Sequence, residues 1–194
     1  MRKSVFERRT KETFVNIDLN LDVANQSQIF TGIGFFDHML EAMMFRAEFS
    51  LQVECQGDLQ VDAHHTVEDV GICVGEAIKN ALGDKSGIIR YGSSSMPMDE
   101  ALVNCAVDIS GRGLLVFNAE SLPMQTCGTF PAELAEEFFR AVAHNAGITL
   151  HINLAYGHNT HHILEAMFKA VGVALGQGVR ASGLNHMPST KGML

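Results

Sequence analysis

The chain has 194 residues, of which 46% are hydrophobic and 19% are charged. Such proportions are typical of a globular protein, and a chain of this length can bury roughly 70% of its unfolded surface. With 14 basic and 22 acidic residues, the formal net charge is -8, which argues against nucleic acid or an anionic membrane as a partner. The N-terminal segment MRKSVFERRT lacks the apolar stretch of a signal peptide, and no segment reaches the roughly 18 apolar residues of a spanning helix. We therefore expect a cytoplasmic protein.

The first half of the chain is predicted to contain strands interleaved with two helices. Apolar and polar residues alternate over 14–23 and again over 49–55, which predicts two strands with one buried face each. Between them, the segment FFDHMLEAMMFRA at 35–47 predicts a helix. Apolar residues recur at helical spacing over 65–82, and Gly83 follows as the predicted C-cap of a second helix.

The second half repeats this order of elements. We predict strands over 101–109 and 114–117, a helix beginning at Pro131 and ending at Gly147, a strand over 148–154, and a helix over 160–175. The match extends to residues, because E-T-F-V-N at 12–16 resembles E-A-L-V-N at 100–104. We infer duplication of a unit of about 90 residues, with half-domains at 1–88 and 89–180 and a C-terminal tail at 181–194.

Four cysteines are widely spaced and form no C-x-x-C pair. Most of them lie in apolar stretches, which predicts reduced residues of the core. They are Cys55, Cys73, Cys105 and Cys127.

One motif, His-His-x-x-Glu, occurs twice, first as His64, His65 and Glu68 and then as His161, His162 and Glu165. Imidazole nitrogen and carboxylate oxygen without thiolate suit first-row divalent ions better than a structural cysteine-type zinc site. In a helix the first histidine and the glutamate share a face, whereas the second histidine points roughly 100° away. Two metal positions are therefore predicted, each needing ligands from elsewhere in the fold or from a neighbouring subunit.

The inferred repeat adds two candidate ligands. His38 lies 26 residues before His64, and Glu137 lies 24 residues before His161. A loop two residues shorter in the second half would make His38 and Glu137 equivalent positions on the first helix of each unit. A charged helix face remains the alternative interpretation of Glu137, which has glutamate neighbours.

The few basic residues outside the N-terminal cluster predict a phosphate site. Arg90 and Arg112 offer guanidinium groups, and the polar tail P-S-T-K-G offers Ser189, Thr190 and Lys191. Guanidinium suits bidentate contacts with phosphate, and hydroxyl and ammonium groups can complete such a site. Taken singly, each basic residue is better interpreted as an ordinary surface cation, and only the combination predicts a phosphate site.

Several motifs in this order and spacing resemble the imidazoleglycerol-phosphate dehydratase family from Arg9 to the C-terminus; they are FFDHML, DAHHTVEDVGI, PMDEALV, DISGRG, THHILEAMFKA and PSTKG. The resemblance implies an α+β fold with two duplicated half-domains, each a four-stranded sheet packed against two helices, of the ribosomal protein S5 domain 2-like type. It also implies two manganese ions per active site and a homo-oligomer of 24 subunits whose active sites are shared between chains.

The resemblance further assigns residues. The family's metal ligands correspond to His38, His64, His65, Glu68, His161, His162 and Glu165. At the position of Glu137, where family members often carry histidine, this chain supplies a carboxylate, which also suits manganese. The substrate-binding residues correspond to Glu12, Arg90, Arg112, Ser189, Thr190 and Lys191, and we expect Glu12, His65 and Glu165 to be catalytic.

The implied function is a lyase of L-histidine biosynthesis that dehydrates D-erythro-imidazole-glycerol phosphate to imidazole-acetol phosphate. The imidazole ring would serve as the electron sink while hydroxide departs, with divalent metal as Lewis acid. A di-metal phosphoester hydrolase is the main alternative, because paired His and Glu sites also activate water. A helical-bundle metal store is a second alternative, and the period-two strands argue against it.

Overall fold

The structure is a computed structural model that describes residues 1–24, 26–184 and 186–194. The first half contains β1 (Lys3–Arg9), β2 (Thr13–Asn20), β3 (Gln28–Phe30), α1 (Gly34–Ala47), β4 (Ser50–Gly57) and α2 (His64–Leu82). The second half contains β5 (Tyr91–Met98), β6 (Ala101–Asp108), β7 (Leu114–Asn118), β8 (Thr126–Cys127), β9 (Phe130–Pro131), α3 (Leu134–Ala146), β10 (Thr149–Tyr156) and α4 (Thr160–Val179).

The two halves have the same topology. The first sheet has the order β1-β2-β4-β3 and the second has the order β5-β6-β10-β7. In each sheet the first three strands pair antiparallel, and the fourth pairs parallel with its neighbour. Helices α1 and α2 pack on the first sheet and α3 and α4 on the second. The predicted α+β fold with two four-stranded sheets is thus confirmed, and the helical-bundle alternative is wrong.

The helices also join the halves, because α1 packs against α4 and α2 against α3. Two glycines show how closely these helices approach. A Cβ atom on Gly172 would lie 2.2 Å from the Met43 carbonyl oxygen of α1, and one on Gly75 would lie 2.8 Å from the Val142 carbonyl oxygen of α3. Since real Cβ atoms do not come so near to backbone oxygen, only glycine permits this packing.

Aromatic residues fill the core where the halves meet. The rings of Phe36 and Phe130 stack with centroids 5.5 Å apart, and those of Phe138 and Phe168 stack at 5.4 Å. These four side chains are fully buried and come from α1, β9, α3 and α4. The core therefore depends on both halves of the chain.

The predicted helix ending at Gly147 is present as α3, but its predicted start at Pro131 is wrong. Pro131 lies in β9, where it pairs with Thr126 of β8, and α3 begins at Leu134 after Glu133. The backbone N–H of Ala132 donates to the Gln125 carbonyl, so the chain completes this short hairpin before the helix starts. The last helix also extends beyond the predicted residue 175, to Val179.

Three strands of the two main sheets, β1, β3 and β5, were not predicted from periodicity, and neither was the short β8–β9 hairpin. The three lie at sheet edges, where only one side of the strand is paired, and β3 is only three residues long. In β5, the buried Gly92 lies beneath the Ala174 carbonyl of α4. A buried glycine leaves no apolar alternation to detect.

A shorter loop in the second half is confirmed. The connection from β4 to α2 spans 58–63, whereas that from β10 to α4 spans 157–159. The connections differ by three residues, and the histidine spacing differs by two because α4 begins one residue before His161. His38 and Glu137 occupy equivalent places, because each lies nine residues before the last residue of its helix.

Three of the four cysteines are buried free thiols, and Cys127 in β8 is only half-buried. Burial raises the pKa of Cys55, Cys73 and Cys105 to about 12. Within the described residues, every helix is too short or too polar to span a membrane.

Candidate metal and phosphate sites

The second His-His-x-x-Glu motif forms a cluster with His38. Helix α4 begins where the Asn159 side chain accepts hydrogen bonds from the backbone N–H groups of His161 and His162. On the first turns of α4, His161 Nε2 lies 3.2 Å from Glu165 Oε2, and His38 Nε2 on α1 lies 3.8 Å from the same oxygen. Donor atoms of these three residues all lie within 4.8 Å of one another. Two imidazoles and a carboxylate at this spacing fit a divalent transition metal.

The surroundings of Glu165 favour the ionised carboxylate, which is the form that binds a metal. Burial acts to raise the pKa of Glu165, but the hydrogen bond and charge of Lys169, together with His161 and His38, hold it below its ordinary value. Lys169 pairs with the other carboxylate oxygen of Glu165. Lys169 is not among the predicted site residues, although its i+4 spacing from Glu165 on a helix is readable from the sequence.

The first copy of the motif is built similarly on α2. His64 Nε2 lies 3.9 Å from Glu68 Oε2, as the helical spacing predicted. Glu68 and Glu137 line the same cavity of about 300 Å³ between α2 and α3. The carboxylate of Glu137 forms an ion pair with Arg140. Its role as a ligand stays a prediction.

The second histidine of each copy turns away from the first. The ring planes of His161 and His162 meet at 81° and those of His64 and His65 at 83°, with both pairs of centroids 6.2 Å apart. His162 therefore faces Glu100 rather than Glu165, and His65 faces Asp58.

Both of these contacts shift pKa values. The hydrogen bond with His162 and that from the backbone of Asn159 lower the pKa of Glu100 to about 2. The same bond raises the pKa of His162, and the hydrogen bond with Asp58 raises that of His65. Sequence reasoning missed Asp58 and Glu100; the repeat of E-x-x-V-N, which aligns Glu100 with Glu12, was the available signal.

Glu12 lies in the β1–β2 turn, equivalent to Glu100 in the β5–β6 turn. Its Oε2 atom lies 3.9 Å from His65 Nδ1, and its side chain is 54% exposed. The backbone N–H of Glu12 donates to Thr10 Oγ1, which orders the turn. The carboxylate thus lies beside the predicted metal ligand His65 and is largely exposed.

All five predicted phosphate-binding residues line one cavity of about 450 Å³: Arg90, Arg112, Ser189, Thr190 and Lys191. Arg90 donates to both oxygens of Asp108 and to the Pro188 carbonyl, so it anchors the tail. The side chain of Arg112 is 70% exposed, and its Nη2 atom lies 3.9 Å from Asp108 Oδ2. Of the two arginines, Arg112 therefore has the guanidinium that is open to a ligand.

This candidate phosphate cavity and the group formed by His162, Glu100 and Asp99, called here the His162 cluster, lie at opposite ends of the β5–β6 hairpin. Tyr91 pairs with Asp108 at the cavity, and Met98 pairs with Ala101 at the cluster. At ~3.3 Å per residue, the strand separates them by roughly 23 Å. One chain does not bring the two features together.

Comparison with known proteins identifies the family. Residues 31–175 match the family model described as imidazoleglycerol-phosphate dehydratase. Proteins of that name from Exiguobacterium and Acetivibrio thermocellus are 53% and 56% identical over 194 residues, covering 100% of this chain and 99% of each relative.

Solved structures agree. The imidazoleglycerol-phosphate dehydratase of Staphylococcus aureus is 44% identical with a TM-score of 0.82, covering 92% of this chain and 99% of that one. The enzyme of Pyrococcus furiosus is 34% identical with a TM-score of 0.84, covering 97% and 100%. The chain belongs to the imidazoleglycerol-phosphate dehydratase family.

Proposed function

We propose that this chain is a hydro-lyase of histidine biosynthesis that dehydrates D-erythro-imidazole-glycerol phosphate to imidazole-acetol phosphate. The observation that carries the proposal is the duplicated arrangement of histidine and carboxylate side chains on α2 and α4. Each copy presents one histidine beside a glutamate and one turned toward a different carboxylate. Full-length similarity to proteins of this name supports the assignment.

Two manganese ions per active site are part of the proposal. Their ligands would come from His38, His64, His65, Glu68, Glu137, His161, His162 and Glu165, whose nitrogen and oxygen donors suit such an ion. Bound divalent metal supplies Lewis-acid stabilisation of negative charge on the substrate's imidazole ring.

Side chains of the protein would carry out the proton transfer that accompanies loss of the hydroxyl group. The hydroxyl group leaves from the carbon bonded to the ring, and a proton leaves from the next carbon; the resulting enol becomes the ketone. We propose that Glu12 accepts this proton, because its exposed carboxylate lies beside His65 and makes no hydrogen bond in the described residues. His65 and Glu165 hold the ring in place for this step.

The phosphate group would bind in the cavity of Arg112, Ser189, Thr190 and Lys191. Because the phosphate does not react, its binding energy can orient the ring over the metal ligands. Arg90 contributes by holding the tail through Pro188.

The distances within one chain support a homo-oligomer with shared active sites. Three carbon atoms link ring and phosphate in the substrate and span roughly 5 Å at ~1.5 Å per bond. This is far less than the length of β5 between the cavity and the His162 cluster. We propose that a neighbouring subunit supplies the phosphate cavity to each metal cluster, in an assembly of 24 chains, with neither nucleic acid nor membrane as partner. Buried free thiols favour the cytoplasm as its location.

A product assay tests the function. Purified protein supplied with Mn²⁺ is incubated with imidazole-glycerol phosphate, and keto product and inorganic phosphate are measured in parallel. We expect stoichiometric ketone without phosphate release. Release of phosphate would instead establish the di-metal phosphoester hydrolase.

A further inference from the structure

His162 is held by a carboxylate that also anchors its helix. The Nδ1 atom of His162 lies 2.7 Å from Glu100 Oε2. The other oxygen of Glu100 accepts the backbone N–H groups of Asn159 at 2.8 Å and His158 at 3.3 Å. One side chain in the β5–β6 turn thus fixes both the start of α4 and the orientation of the His162 ring.

His65 is held in the same way by a different element. Its Nδ1 atom lies 3.1 Å from Asp58 Oδ2 and 3.2 Å from Oδ1. Asp58 comes directly after β4, in the loop before α2, and its side chain is only 18% exposed. Both histidines therefore present Nδ1 to a partly buried carboxylate.

The duplication does not explain this similarity. The residue equivalent to Glu100 is Glu12, and its carboxylate lies 3.9 Å from His65 Nδ1, which is beyond hydrogen-bonding distance. Asp58 makes the contact in its place. The two halves thus make the same kind of contact from positions that are not equivalent, so the contact is not a by-product of the duplication.

We propose that Glu100 and Asp58 are positioning residues that accept the Nδ1–H hydrogen of His162 and His65 and so leave Nε2 of each ring as the metal-binding nitrogen. A carboxylate on one ring nitrogen selects the tautomer, fixes the ring plane and raises the basicity of the other nitrogen. The Nε2 atom of His162 faces the exposed side, 3.5 Å from Asp99. This inference rests on metal binding by the proposed enzyme.

The geometry also separates the tasks of two equivalent glutamates. The oxygens of Glu100 are used by His162 and two backbone groups, whereas Glu12 makes no hydrogen bond through its carboxylate in the part of the chain that the structure describes. Glu100 positions a ligand, and Glu12 stays available for proton transfer.

Manganese titration of the metal-free, full-length protein, followed by electron paramagnetic resonance, tests the proposal. Because His162 and His65 each turn away from the metal cluster of their own helix, we expect them to serve different ions. Glu100→Ala should then weaken one class of Mn²⁺ site by roughly 10–100-fold and Asp58→Ala the other. Glu100→Gln keeps an acceptor oxygen and should restore part of the affinity. Glu120→Ala, which removes an exposed carboxylate, is the control.

The outcomes distinguish the positioning role of Glu100 and Asp58 from the proposed function of the protein. If wild-type protein binds two classes of Mn²⁺ and all variants match it, the positioning role is wrong. Equal weakening of both classes by Glu100→Ala, together with a lower melting temperature of the metal-free protein, would show a merely structural role and also overturn it. Should Glu100→Ala fail to fold, Glu100→Gln and Asp58→Ala give the same decision. Wild-type protein that binds no divalent ion overturns the proposed function itself.

Discussion

The Nε2 atom of His38 on α1 lies 3.8 Å from Oε2 of Glu165 on α4. These residues belong to different halves of the chain, and the packing of their helices brings them together. The geometry of this site therefore depends on how closely α1 and α4 pack as well as on the side chains of the site itself.

We therefore expect Gly172→Ala to destabilise the protein although it touches no predicted ligand. The new methyl group would lie 2.2 Å from the Met43 carbonyl oxygen, and such overpacking costs about 1–3 kcal/mol, more than the helix propensity gained. Thermal unfolding measures the effect. Gly34→Ala, where a Cβ has nothing within 4 Å, is the matched control, and equal melting temperatures for the two variants would contradict the prediction.

Removing the Glu12 carboxylate should affect turnover rather than metal content. Glu12→Gln keeps the shape of the side chain but not its basicity, and loss of a general base typically lowers kcat by about 10²–10⁴-fold. Steady-state kinetics together with bound manganese measure both effects. Near-native turnover in this variant would show that Glu12 does not transfer the proton.

Arg112→Ala should weaken binding of phosphorylated ligands. Its guanidinium is exposed in the phosphate cavity, and a charge-assisted hydrogen bond typically contributes about 1.5–3 kcal/mol. We expect KM for the substrate to rise while the affinity for a non-phosphorylated triazole inhibitor stays constant. Equal losses for both ligands would remove Arg112 from the phosphate site.

Glu137→His should change metal preference. The substitution gives the α2 cluster an imidazole at the position equivalent to His38, and imidazole favours zinc or nickel over manganese more strongly than a carboxylate does. Competition titrations with Mn²⁺ and Zn²⁺ measure the ratio of affinities. A ratio identical to that of the wild type would mean that Glu137 is not a ligand.

Stability in acid should depend on Asp22. Hydrogen bonds from the Arg2 side chain hold the pKa of Asp22 below its ordinary value, against the effect of burial. Because the pKa of Asp22 is lowered in the folded protein, the ionised carboxylate stabilises the fold at pH values above the pKa that Asp22 has in the unfolded chain, which is near 4. This stabilisation is lost as the pH falls through the lower pKa of the folded protein. Wild type should therefore melt above Asp22→Asn at neutral pH, with the difference disappearing in strong acid. A constant difference across the pH series would contradict this.

Local periodicity in the sequence was enough to predict the pairing of His161 with Glu165 and the divergence of His162, because neighbours in a helix are set by 3.6 residues per turn. The duplicated order of elements, and with it the equivalence of His38 and Glu137, also followed from the chain alone. That the five predicted phosphate-binding residues line one cavity agrees with the family pattern of their motifs, and their role stays a prediction.

The contacts of the predicted metal-binding residues depend on the tertiary structure. The approach of α1 to α4 placed His38 beside Glu165, while the β5–β6 turn and the loop after β4 brought Glu100 and Asp58 to the two remaining histidines. No periodicity encodes these contacts, because they join residues distant in sequence whose positions depend on how closely helices pack and where turns end. The separation between the candidate phosphate cavity and the His162 cluster likewise depends on the tertiary structure, because the length of the β5–β6 hairpin lies between them.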